Sequence, residues 1–71
     1  MYRPGDHVWV ADLPRRLMCR VMESETVQGP AGTFQILELQ PLEESWWPPQ
    51  TRLFRLDDAV QRAQPRDLEA A

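Results

Sequence analysis

Proline is distributed so that this chain cannot build a long helix. Seven prolines stand at positions 4, 14, 30, 41, 48, 49 and 65 of 71 residues, and inside a helix each would remove a backbone donor and clash with the preceding turn. Between them lie four short apolar runs, at 7–11, 17–22, 33–40 and 51–56. Turn signals separate them, Pro4-Gly5 before the first and Gly29-Pro30-Ala31-Gly32 before the third. Short runs at regular spacing with glycine and proline between them predict an all-β fold, a small barrel or strongly curved meander of four to five strands. Residues 18–22 and 34–39 also carry apolar residues at helical spacing and few β-branched ones, so a helix stays open there.

Length sharpens the problem. A domain this small buries only about 60% of the surface its unfolded chain exposes, and such domains often add a disulfide, a metal or a second copy. One cysteine, Cys19, forms no internal disulfide, and with one histidine, His7, it cannot complete a four-ligand zinc site. Self-association is the remaining route. Eight arginines without a lysine face eleven acids, a net charge of −3, which argues against a general nucleic-acid binder. No apolar run approaches the roughly 20 residues of a membrane span, and no hydrophobic stretch follows the N-terminus, so the chain reads as a soluble cytoplasmic protein.

Matching apolar faces in a meander predicts the register. Val10 opposite Cys19, Val8 opposite Val21, Val21 opposite Leu37, Cys19 opposite Leu39, Leu37 opposite Leu56 and Leu39 opposite Phe54 give one inner face: Val8, Val10, Cys19, Val21, Leu37, Leu39, Phe54 and Leu56. The other face then places Trp9 beside Arg20, Arg20 beside Glu38 and Glu38 beside Arg55, alternating charges of the kind that stabilise cross-strand pairs. After Leu56, residues 57–63 read either as a helical turn capped by Asp57 or as a turn and a fifth short strand. The single β domain is expected over residues 1–63, with a flexible tail at 64–71.

The opening Pro4-Gly5-Asp6-x-Val8-x-Val10, the long loop after it, two hairpin-like strands and a short turn before a last strand resemble the SH3-like small-barrel superfold. That group includes Tudor, KOW and CarD-type polymerase-interacting domains. The resemblance covers residues 3–63 in outline, and its local motif is the Gly5-Asp6-x-Val8 entry. It implies an interaction domain. The acidic-aromatic motif of proline-peptide-binding SH3 domains is absent, so that activity is not implied.

Catalysis needs a nucleophile with a base in reach, a working carboxylate pair or a metal. The expected register puts Cys19 inside as a small core hydrophobe and His7 outside, near Met22 and Ile36. Glu43-Glu44 and Asp57-Asp58 read as solvated turn residues, and Gly5, Gly29 and Gly32 do not form a phosphate-binding loop. No catalytic residue, cofactor or metal site is expected, and the chain reads as a non-enzyme.

Interaction chemistry is better represented. Trp46-Trp47-Pro48-Pro49 places two indoles in a stiff loop, and in an extended segment successive side chains point opposite ways, so one ring caps the core and the other is exposed. Trp9, Met22 and Ile36 add apolar area to the outer face. The leading expectation is therefore a protein-interaction or self-association module binding through Trp9, Met22, Ile36, Trp46 and Trp47. The alternative is a nucleic-acid or transcription-associated accessory domain using Arg15, Arg16 and Arg52. A third possibility is a small-ligand site shared between copies.

Overall fold

The computed structural model describes residues 1–42, 48 and 50–69. Five strands, β1 (His7–Val10), β2 (Leu17–Gly29), β3 (Gly32–Pro41), β4 (Leu53–Leu56) and β5 (Val60–Arg62), form one antiparallel sheet in the order β4-β3-β2-β1-β5. β4 and β5 are its edges and do not pair with each other, so the sheet is open. The all-β expectation holds. Residues 57–63 contain both alternatives, a single 3-10 turn at Asp57–Ala59 followed by β5. That turn begins after Leu56 without a side-chain cap, so Asp57 does not take the capping role expected of it. Residues 18–22 and 34–39 are strand.

The longest element is the hairpin of β2 and β3. Thirteen residues of β2 at about 3.3 Å each account for the 39 Å long axis of the molecule. At its tip Gly29 lies opposite Gly32 across Pro30-Ala31. Proline fixes a negative φ in the turn, and among the described residues none other than glycine has a positive φ, so Gly32 at φ 129° supplies the backbone freedom that turns the chain back. Gly5, at φ 97°, does the same for the N-terminal turn. There its N–H donates to the Val21 carbonyl at 2.8 Å, and the Val21 N–H donates to the Asp6 carbonyl at 2.8 Å.

The observed registers differ from the expected ones in an informative way. Val8 lies opposite Cys19 and Val10 opposite Leu17, while Val21 lies opposite Leu39. Each is a shift of two residues, which preserves the face. β4 is shifted by one: Leu53 lies opposite Leu39 and Arg55 opposite Leu37. An odd shift exchanges the faces of a strand. Phe54 and Leu56 therefore stand outside, 58% and 44% exposed, instead of in the core. The core is Val8, Val10, Leu17, Cys19, Val21, Leu37, Leu39 and Val60, with Tyr2, Leu13 and Leu53 packed against it.

The β4 shift brings Arg55 to the inner side, where it remains half-buried. Its guanidinium reaches Asp12 in the loop after β1, at 2.9 and 3.3 Å, and also donates to the Phe54 carbonyl at 2.9 Å. The charge ladder expected on the outer face is accordingly absent. Arg20 lies opposite Gln40 and donates to its side-chain oxygen at 3.2 Å, Trp9 lies opposite Met18, and Glu38 lies opposite Phe54.

Within β2 one residue is extra. Val21 lies opposite Leu39 and Glu23 opposite Glu38, leaving Met22 as a bulge. The bulge reverses which residues of β2 face outward. Before it the outer residues are Met18 and Arg20, and after it they are Glu23, Glu25 and Val27, level with Glu38, Ile36 and Phe34.

The segment from Gln64 onward, read as a tail, carries a helix, α1, at Pro65–Glu69. Proline suits the first helical position, where its missing donor is not needed. Two positions on, the Asp67 carboxylate accepts the Gln64 N–H at 2.8 Å, as an acidic residue in the third helical position does for the residue that caps the helix.

Candidate functional site

The outer face has two ends with different character. At the β1 end, Trp9 donates its indole Nε1–H to Asp67 of α1 at 3.1 Å, and the Arg16 guanidinium stacks 4.1 Å from the centre of its ring. Asp67 is held below the usual carboxylate range chiefly by the Gln64 N–H and secondarily by the indole. Trp9 is thus half-buried and engaged by its own chain.

The second end lies on β2, β3 and β4. Glu23, Ser24, Glu25, Ile36, Glu38 and Phe54 line an open groove of about 280 Å³. Ile36 and Phe54 form its apolar floor, with Leu56 opposite Ile36 continuing the apolar strip along β4. The three glutamates bring carboxylates to it. Glu38 is ion-paired with Arg52 at 3.5 Å. Neither the Glu23 nor the Glu25 carboxylate has a hydrogen bond or ion pair among the described residues. Glu23 and Glu38 stand directly opposite each other, a like-charge pair that weakens a sheet.

The residues singled out from sequence therefore separate. Trp9 is level with Met18, and Ile36 is level with Glu25, seven residues further along β2 and about 23 Å away at 3.3 Å per residue. Met22 lies between them at the bulge, half-buried. His7 is opposite Arg20, not beside Met22 and Ile36 as expected. Arg16 is committed to Trp9 on β1 and Arg52 to Glu38 on β3. Arg15 is exposed in the loop before β2. Trp46 and Trp47, with Glu43 and Glu44, lie outside the described residues. Sequence reasoning missed Phe54, which it placed in the core, and Glu23 and Glu25, whose alternation with small polar residues is the strand signal that could have placed them on one face.

Other chemistry is sparse. Cys19 is fully buried opposite Val8, and burial pushes its thiol up to about 11, with Arg55 opposing slightly. His7 sits on the other face, opposite Arg20. Among the described residues no group of three His, Cys, Asp or Glu side chains comes together as metal ligands, and no helix is long and apolar enough to cross a membrane. No protein-family model matches the chain, and no curated protein or solved structure does so either.

Proposed function

We propose that this domain is a non-catalytic interaction module whose binding face is the strip of Ile36, Phe54 and Leu56 on the outside of β3 and β4. The observation that carries this reading is the exposure of Phe54 and Leu56, 58% and 44%, on a four-residue edge strand. Aromatic and aliphatic side chains grouped in this way on a domain with so small a core are more useful against a partner than against water. The short turn at Asp57–Ala59 before the last strand supports placing the sheet in the SH3-like small-barrel group, whose members serve widely as interaction domains.

The partner is a different protein rather than a second copy. A two-fold pair through this face would set Glu23, Glu25 and Glu38 of one chain against the same glutamates of the other. The nucleic-acid reading draws on less, because Arg16 lies over Trp9 and Arg52 is ion-paired.

Selection of a displayed random-peptide library against the domain tests the proposal. Enriched peptides should bind the wild type and lose at least tenfold in affinity for Phe54→Ala/Leu56→Ala, while the variant keeps the native far-ultraviolet spectrum. Peptides that bind the double variant equally well, or a library that yields none, would refute it. Light scattering should give an 8.3 kDa monomer at every concentration tried.

A further inference from the structure

Resting on that reading, the geometry points to an arginine-bearing extended segment of a partner protein as the occupant of the groove, its guanidinium stacked on Phe54 and paired with Glu23 and Glu25. Charge complementarity is the first argument. The groove presents three carboxylates around an apolar floor, and among the described residues only Glu38 has a cation of its own, Arg52. Glu23 and Glu25 alternate along β2 on the same side as Ile36 and Glu38, so successive outward positions of one strand supply acceptors spaced about 6.6 Å apart, twice the rise per residue. A nucleotide, a phosphate or an acidic peptide would meet repulsion there.

Size is the second. A volume of about 280 Å³ lies at or below the lower end of the 300–1,000 Å³ typical of small-molecule sites, but it accommodates one long side chain with an apolar neighbour. Among cations, a guanidinium matches the site best. It is planar, it stacks on an aromatic ring, and its fork of donors serves a carboxylate through two parallel bonds, whereas an ammonium acts as a point charge. Bringing that charge between Glu23 and Glu38 also relieves the like-charge opposition across β2 and β3.

Strand addition to the edge of β4 is the competing way to seat a peptide here, and Arg55 obstructs it. Its guanidinium is held against the backbone of this four-residue edge strand, donating to the Phe54 carbonyl while tied to Asp12, and an added strand would have to displace it. The segment therefore lies across the outer face, with side chains entering the groove.

The test is a titration of the isotope-labelled full chain, followed by amide resonances, with three synthetic peptides of equal length that alternate leucine with arginine, glutamine or glutamate. The arginine peptide should move the amides of Glu23, Glu25, Ile36 and Phe54, bind more weakly as salt rises, and lose about tenfold in affinity to the Glu23→Gln/Glu25→Gln variant. Both substitutions are at exposed positions, so the fold should be kept. If the glutamine or glutamate peptide binds this face as tightly as the arginine peptide, the face docks partners but the cationic occupant is wrong. If these amides shift with protein concentration alone, a second copy is the occupant and the inference falls. If no peptide moves them, both the inference and the binding face it rests on are wrong.

Discussion

The side-chain amide of Gln35 forms a closed pair of hydrogen bonds with the backbone of Tyr2: its oxygen accepts the Tyr2 N–H at 2.8 Å, and its nitrogen donates to the Tyr2 carbonyl at 2.9 Å. A glutamine side chain thus does for the N-terminal segment what a neighbouring strand would do. Gln35 is 3% exposed and is the one buried polar residue among those described. Pairing both its polar atoms is what makes that burial tolerable. Arg62 completes the anchorage, stacking 4.6 Å from the Tyr2 ring and donating to Asp6 and to the Met1 carbonyl.

Gln35→Ala should therefore destabilise the domain by about 1–3 kcal/mol, the cost of leaving the Tyr2 backbone groups without partners in a partly buried place. Urea unfolding at pH 7 measures it. A loss below a few tenths of a kcal/mol would mean that water replaces the amide without penalty and that the first residues contribute little to the fold.

Cys19 should be inert in the folded protein. Its thiol is fully buried and raised to about 11 by desolvation, so at neutral pH it is protonated and out of reach, whereas the thiolate is the reactive form. A disulfide reagent should label it only at the rate of unfolding, and rapid labelling in native buffer would contradict the burial. The same shift gives a sign for stability. A folded value above the unfolded one means that the contribution is present at neutral pH and is lost as pH rises from about 9 toward 11.

Acid should act through two aspartates. Asp6 is held below the usual carboxylate value of 3.8 first by the Arg3 N–H and then by Arg62, and Asp67 first by the Gln64 N–H and then by Trp9. For a depressed carboxylate the stabilisation is present above the unfolded value and is lost as pH falls through the folded one, that is, below about pH 4. The Trp9 indole N–H resonance should shift over that window in the wild type and stay flat in Asp67→Asn, which keeps the side-chain oxygen but cannot titrate. An equal shift in both proteins would show that Asp67 is not the group that Trp9 senses.

The inner residues of β1, β2 and β3 were legible in the sequence because they alternate strictly with polar or larger neighbours. Val8, Val10, Cys19, Val21, Leu37 and Leu39 all lie where alternation puts them. β4 was not legible, since Leu53-Phe54-Arg55-Leu56 offers apolar residues in both phases and a four-residue strand has little else to set its register. The tie between Arg55 and Asp12, 43 residues apart, accompanies the phase with Arg55 inward, and no local pattern announces it. The face we propose for binding differs from the expected one for the same reason: with Phe54 outward, the groove lies beside Glu23 and Glu25 and not at Trp9. α1 carried a readable signal in Gln64-Pro65-Arg66-Asp67, proline in the first helical position and an acid in the third, which a polar composition obscured.

The bulge at Met22 yields a prediction that separates register from composition. Val21 faces in and Glu23 faces out although they are two residues apart, because Met22 is the extra residue between them. Deleting Met22 restores plain alternation, with Val21 still opposite Leu39 and Glu23 still opposite Glu38, so the variant should fold with the same core and a straighter β2. Deleting Glu38 removes a residue from β3, which pairs on both sides, and leaves Leu37 and Leu39 on opposite faces. One fully buried leucine must then enter solvent, a loss of about 1.5–3 kcal/mol before any effect on pairing. Amide spectra of the two deletion variants should show native-like dispersion for the first and collapse or heavy broadening for the second. The reverse result would mean that the bend at Met22, and not the alternation it interrupts, is what the fold requires.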